Sequence, residues 1–138
     1  TLAQLSAGRI GWAIRVLQEP ALLDRRNAAL EALEAALAQN RRARFDLAER
    51  LGSEKTDLGD VLETWQMLWR DVLLVAAGSR APITNYDRRA LVNRLAGEIG
   101  VEGAEKSLQA TRRTLDALDR NANVRLALEV LLLDYPGV

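Results

Sequence analysis

The chain has 138 residues, with 19 basic and 19 acidic side chains and with no cysteine and no histidine. The length suits one domain with a real core, and the absent residue types exclude disulfides, thiolate zinc sites and imidazole catalysis. The even charge balance argues against a dedicated nucleic-acid surface and against attraction to an anionic membrane, because both require a basic face.

The composition predicts an all-α fold. Apolar residues make up 49% of the chain and aromatics only 4%, and the abundant Ala and Leu are strong helix formers. The three prolines, Pro20, Pro82 and Pro136, all fall at apparent helix boundaries. We therefore expect a compact bundle of roughly five to seven helices with short loops. Because the chain starts inside an apparent helix and without Met, we also expect it to be a fragment of a longer protein.

The first 20 residues form a small unit in this pattern. We expect residues 1–5 to end one helix, residues 6–8 to break it, and residues 9–17 to form a second helix that Pro20 closes. Gly8 and Gly11 straddle the start of that helix, where backbone N–H groups could face a phosphate. A tight turn between helices that needs small residues explains them more simply. We place a domain boundary here, with residues 21–138 as the main domain.

Two helices are expected next, over residues 21–39 and 41–51, separated by Asn40 as a cap. In the first helix, four leucines should face inward, namely Leu23, Leu30, Leu33 and Leu37. Four charged residues should face outward, namely Arg25, Arg26, Glu31 and Glu34. The second should bury Phe45, Ala48 and Leu51 and end at Gly52.

The strongest helical pattern covers residues 55–77, where nine apolar positions, including Trp65 and Trp69, match a core-facing stripe. Thr56 or Asp57 should cap this helix, and Gly78 should end it. After a loop with Pro82, Asn85 is expected to cap a helix over residues 86–98. Gly100 should separate this from a helix over residues 102–120.

The last helix begins after Asn121 or Asn123, both good N-caps, and Pro136 and Gly137 end it. Val124, Ala127, Leu128 and Leu131 form an apolar stripe at helical spacing, and further leucines and Val130 fill most of the remaining circumference. A helix that is apolar nearly all round must be buried, either in a core or against a partner.

Three stretches carry a resemblance to the clamp-loader subunits of bacterial DNA polymerase III, delta-prime and gamma/tau. The N-x-N-x-R cap followed by LALEVLLL resembles their C-terminal helix. The segment W-R-D-V-L-L from Trp69, followed by the Asn85–Asp87 turn, resembles the delta-prime collar domain. Residues 5–15 resemble the last helix of the AAA+ lid. The resemblance implies that residues 1–20 end the lid and that residues 21–138 form the collar domain.

The lid stretch also departs from the active pattern. Gamma-type subunits carry an Arg in a G-S-x-R-D-A pattern that reaches the ATP phosphates, whereas the corresponding stretch here is G-R-I-G-W-A, with Gly11 at the Arg position. This departure resembles delta-prime, the subunit that does not hydrolyse ATP. Arg9 or Arg15 could substitute for it, although a solvated surface position explains each more simply.

The function expected is subunit association in a pentameric cytoplasmic clamp loader, with other clamp-loader subunits (gamma/tau and delta) as partners and a homodimer possible for the isolated chain. The predicted contact residues are Leu126, Glu129, Val130, Leu133, Arg112, Arg113 and Asp116. We expect no catalysis, cofactor, metal or direct nucleic-acid contact. A gamma/tau-type collar, an unrelated helical regulatory or ligand-binding domain, and an enzyme that uses carboxylate pairs are the alternatives.

Overall fold

Helices make up nearly all of the part of the chain that the computed structural model describes, residues 20–53, 58–120 and 123–137. They are α1 (Pro20–Leu37), α2 (Arg41–Ser53), α3 (Leu58–Ala76), α4 (Arg89–Asp119) and α5 (Val124–Asp134), with a 3-10 turn at Tyr86–Arg88. These three ranges contain no strand, which confirms the all-α prediction. Within the same ranges, no helix is both long and apolar enough to cross a membrane.

Helix α3 lies at the centre, packed mainly against α4 and then against α1. Its predicted apolar stripe is confirmed, because Trp65 and Trp69 are fully buried with the leucines around them. The indole Nε1 of Trp65 donates a hydrogen bond of 2.9 Å to the carbonyl oxygen of Ala29 on α1. Both rings therefore fill the core, and Trp65 also ties α3 to α1.

Glycines in left-handed conformation stop two helices where the sequence predicts. Gly78 has φ of 73°, and behind it the amide of Ser79 bonds to the carbonyl of Leu74 at 2.9 Å, which is a Schellman-type end. Gly100 has φ of 66° and ψ of −172° and divides α4 into two helical segments. Because other residues avoid positive φ, these two glycines set the directions of the chain on either side.

Helix α5 packs against α2 and α4, and the turn after it closes the core. The ring of Tyr135 lies 6.1 Å from that of Trp65 and 5.1 Å from that of Trp69. Its hydroxyl shares a hydrogen bond of 2.5 Å with Thr111 of α4. Burial raises the pKa of the Tyr135 phenol above its ordinary value. One side chain thus joins α3, α4 and the end of α5.

Two residues were placed on the wrong face by the sequence analysis. Arg26 was predicted to face solvent but is 2% exposed, and Phe45 was predicted to be buried but is 43% exposed. Arg26 occupies the inward stripe of α1 by its spacing from Leu22 and Leu30, and its charge is met by partners described below. On α2, Arg44 with Leu47, Ala48 and Leu51 forms the buried stripe, so Phe45 lies one position round the helix and faces outward.

Smaller differences concern helix ends. Helix α2 continues through Gly52 to Ser53 instead of ending at Gly52. Asn85 precedes the 3-10 turn without a side-chain capping bond. Leu23 is only partly buried, while Leu22 takes the core position. The predicted caps at residues 56, 57 and 121 and the lid segment lie outside the described residues.

Candidate subunit interface on the C-terminal helices

Helix α5 is anchored at both ends by hydrogen bonds. At its start, Oδ1 of Asn123 accepts from the amide of Leu126 at 3.0 Å, which confirms one of the two predicted caps. At its end, the guanidinium of Arg44 donates to the carbonyl oxygens of Leu132, Tyr135 and Pro136 at 2.9, 2.7 and 2.6 Å. These bonds hold both ends of α5 in place, and they therefore also fix which side of the helix faces outward.

The apolar side chains of α5 divide into an inner and an outer set. Leu128, Leu131 and Leu132 are buried, whereas Leu126, Val130 and Leu133 remain 56%, 52% and 42% exposed. The exposed three follow one another at four and three residues, so they form a strip along one side of the helix. We call them the α5 strip. The core covers only half of this helix.

A groove of about 330 Å³ runs between α5 and the second segment of α4. Its floor includes three small residues spaced four and three apart on α4, Ala110, Thr114 and Ala117. Leu126 and Val130 of the α5 strip form one wall, and Arg113 belongs to the other. Because the floor side chains are small, a groove remains between the two helices, and the side chains of Leu126 and Val130 make its lining mainly apolar.

A second, more polar depression continues the groove along α4. It shares Ala110, Arg113 and Asp134 with the apolar groove and adds Glu102, Glu105, Lys106 and Gln109. The α4 residues recur every three or four positions and so share one face of the helix. From residue 102 to residue 117 that face extends roughly 22 Å at the usual helical rise. We call the two parts together the trough, with an apolar half and a polar half.

The structure divides the seven residues predicted for the interface. Leu126, Val130 and Arg113 line the trough, and Leu133 continues the strip one turn on. Glu129 does not line the trough. It accepts a hydrogen bond of 3.2 Å from Nε of Arg125, and Arg125 also lies 3.6 Å from Glu49 of α2. The small residues of the floor were missed, although their spacing on α4 could have identified them.

Arg112 and Asp116 face a different depression, between α3 and α4, where Asp60, Glu63 and Asp119 also lie. Despite these carboxylates, the described residues contain no group of three or more acidic side chains arranged to hold a metal ion. The two sides of α4 therefore differ, and only the side with Arg113 adjoins the α5 strip.

Asp71, from the W-R-D motif, has a structural role. Its carboxylate accepts hydrogen bonds from the amides of Thr84 and Asn85 at 2.8 and 2.7 Å and from Nδ2 of Asn85 at 2.8 Å. Burial raises the pKa of Asp71 above its usual range, against the lowering effect of these bonds. The motif thus fastens the loop after α3 to α3 itself.

The N-x-D turn continues this network to α1. The guanidinium of Arg26 donates to Oδ1 of Asn85 at 2.8 Å and to both carboxylate oxygens of Asp87, at 2.9 and 2.7 Å. Burial acts to raise the pKa of Asp87, but the hydrogen bonds and charge of Arg26 outweigh it and hold that pKa below its ordinary value. These motif residues maintain the fold and lie apart from the trough.

Comparison with protein families shows where the chain belongs. A family model described as DNA polymerase III, delta subunit, C terminal, matches residues 20–136, which is most of the chain. No curated protein and no solved structure matches it.

Proposed function

The chain belongs to the family of C-terminal domains of DNA polymerase III delta subunits, and from that premise we propose that it is the collar domain of a clamp-loader subunit. We propose further, from the resemblance of residues 5–15 and not from the family match, that this subunit is delta-prime-like. In this role it is a non-catalytic assembly part of the replication machinery in the cytoplasm. It packs beside the collar domains of gamma/tau-type and delta-type subunits in a pentameric ring, and the ring supports loading of the sliding clamp.

The observation that supports an assembly role most directly is the exposed α5 strip. Subunit interfaces combine an apolar centre with a polar rim, and the strip has Arg113 and Asp134 beside it in the trough. The strip alone is small compared with the roughly 800 Å² that each partner buries in a stable interface. We therefore infer that it is one part of a larger contact within a ring.

The narrower assignment to delta-prime rests on Gly11, where an ATPase subunit of the gamma/tau type has Arg. Measuring ATP hydrolysis by the full-length parent protein in the assembled complex distinguishes a delta-prime-like subunit from a gamma/tau-type subunit. A delta-prime-like parent adds no turnover, whereas hydrolysis by its own ATP site would favour the gamma/tau assignment. Family membership leaves an unrelated helical ligand-binding domain without support.

The decisive experiment for the assembly role is to mix the 138-residue chain with the gamma-type collar domain of the same organism and measure mass by light scattering. We expect a stable mixed complex. Val130→Asp should weaken it at least 30-fold, because a carboxylate would be buried at an apolar contact.

Phe45→Asp is the matched control, since Phe45 is a similarly exposed apolar side chain on α2 that lies outside the trough. It should leave the complex unchanged. If the two proteins do not associate, the assembly role is wrong. If Val130→Asp stays folded and assembles as tightly as the wild-type chain, the α5 strip is not the contact.

A further inference from the structure

We propose that the trough receives a single amphipathic α-helix from the partner subunit, with apolar residues at one end and basic residues at the other. This inference rests on the proposed assembly role and adds the chemistry of the partner element. Three features of the trough carry it: its length, its shape and the distribution of charge along it.

The length and shape fit a helix. The lining face of α4 extends roughly 22 Å, which corresponds to about four helical turns. The second segment of α4 and α5 run antiparallel across a short connection, so they present two ridges with a floor of small residues between them. A third helix laid between two ridges completes the packing of a bundle.

The apolar half determines one end of this partner helix. Leu126 and Val130 stand one turn apart on the wall, over the small floor residues Ala117 and Thr114. Burial of apolar side chains there removes both surfaces from water. Helix-in-groove recognition uses anchors spaced three or four residues apart, so the partner should carry two or three such apolar residues in this half.

The polar half determines the other end. Three acidic residues, Glu102, Glu105 and Asp134, line it against two basic ones, Lys106 and Arg113. Lys106 is 4.0 Å from Glu102, so this pair largely offsets its own charge. Glu105 lies on the α4 side and Asp134 at the end of α5, and with only Arg113 left to balance these two carboxylates the polar half keeps a net charge of −1. Basic residues of the partner are the complement of this half.

Photocrosslinking tests the proposal, because the chain has no cysteine and a single introduced thiol can be labelled without ambiguity. Gln109→Cys places the crosslinker in the polar half, and Leu126→Cys places it in the apolar half. Each labelled 138-residue chain is mixed with the gamma-type collar domain, irradiated and mapped by mass spectrometry.

We expect both probes to reach one helix of the partner, at positions about two turns apart, with basic residues at the end that Gln109→Cys marks. Crosslinks to loops or to separate helices of the partner would overturn the proposal, and so would crosslinks to a second copy of this chain or to its own residues 1–19. The light-scattering measurement of the same mixture shows separately whether a mixed complex forms, and it alone decides the assembly role.

A charge reversal supplies the second measurement. Glu105→Arg should weaken the mixed complex 3- to 10-fold and reduce its sensitivity to salt, because it opposes the basic end of the partner helix. Glu98→Arg is the matched control, because it reverses an exposed glutamate on the first segment of α4, outside the trough. Equal affinities for the two variants would refute the charge complementarity while leaving the Val130→Asp result to judge the assembly role.

Discussion

Two buried arginines hold this bundle together, and they do so with different chemistry. Arg26 of α1 is 2% exposed and forms its main bonds with the carboxylate of Asp87 and the amide oxygen of Asn85. Arg44 of α2 is 6% exposed, and among the residues that the structure describes its hydrogen-bond acceptors are all backbone carbonyl oxygens. Those carbonyls belong to Ala36, Leu37, Leu132, Tyr135 and Pro136.

The difference shows that a buried cation can be balanced either by a charge or by helix ends. The last carbonyls of a helix lack intrahelical partners and carry partial negative charge, and Arg44 joins the ends of α1 and α5 by satisfying both sets. Burial lowers the pKa of Arg44, but a guanidinium stays protonated in proteins. Arg26 instead depends on a carboxylate, which can be titrated.

The largest expected effect comes from removing Arg44. Arg44→Met removes the guanidinium shared by five carbonyl oxygens at and just beyond two helix ends. Although the oxygen of Ala36 still accepts from the amide of Gln39 at 3.2 Å, we expect the free energy of unfolding to fall by about 4 kcal/mol. Urea denaturation followed by circular dichroism measures this loss. Arg44→Lys should recover little of it, because an ammonium is compact and lacks the fork that spans both helix ends.

Arg41→Met is the control, since Arg41 is exposed on the same helix. It should change stability by less than about 0.5 kcal/mol. A comparably small loss for Arg44→Met would mean that water replaces the guanidinium at both helix ends, and the contrast between the two arginines would then disappear.

Removing Arg26 should lower the free energy of unfolding by less than removing Arg44. The side chain of Asp87 is 45% exposed, so after Arg26→Met water can solvate the carboxylate that the guanidinium now holds. We expect a loss of about 2 kcal/mol, near the value for hydrogen bonds to charged groups. Urea unfolding of Arg26→Met and Arg44→Met in the same buffer shows which variant loses more stability. If Arg26→Met loses more stability than Arg44→Met, then the ion pair with Asp87 stabilises the bundle more than the contacts of Arg44 with the helix ends.

Much of the fold was predictable from sequence because it follows from periodicity and from a few conformationally special residues. The Trp65 and Trp69 stripe, the stops at Gly78 and Gly100 and the Asn123 cap all have local causes. Arg26 and Arg44 do not, because their acceptors lie 59 to 61 and up to 92 residues away in the chain. Charge alone assigned Arg26 to the surface, and no local pattern could overrule it.

The candidate interface was predictable only in part for a related reason. Leu126, Val130 and Leu133 were predicted as contact residues of an all-round apolar helix, but whether the core or solvent covers a given side of such a helix depends on its neighbours. Glu129, Arg112 and Asp116 were predicted on the same two helices, and the structure places each of them outside the trough. The spacing of the small floor residues on α4 was available in the sequence, but the trough also needs the wall from α5, and the two come together only once the helices are packed.

The smallest expected effect is a dependence on pH, and it separates the two arginines most cleanly. The folded-state pKa of Asp87 is depressed, so its contribution is complete above the unfolded value, about 3.9, and is lost as the pH falls through the folded value. The raised pKa of Asp71 acts in the opposite direction, so the raw pH profile mixes the two. The difference between the wild-type chain and Asp87→Asn cancels the Asp71 contribution.

We expect that difference to be about 1 kcal/mol at neutral pH, since the pair is partly exposed, and to shrink towards zero under acid conditions. The deficit of Arg44→Met should stay constant across the same range, because every acceptor of Arg44 is an uncharged carbonyl. Urea titrations at a series of pH values provide both comparisons. A deficit of Arg44→Met that also faded in acid would show that a carboxylate contributes to its balance, and the two arginines would then share one mechanism.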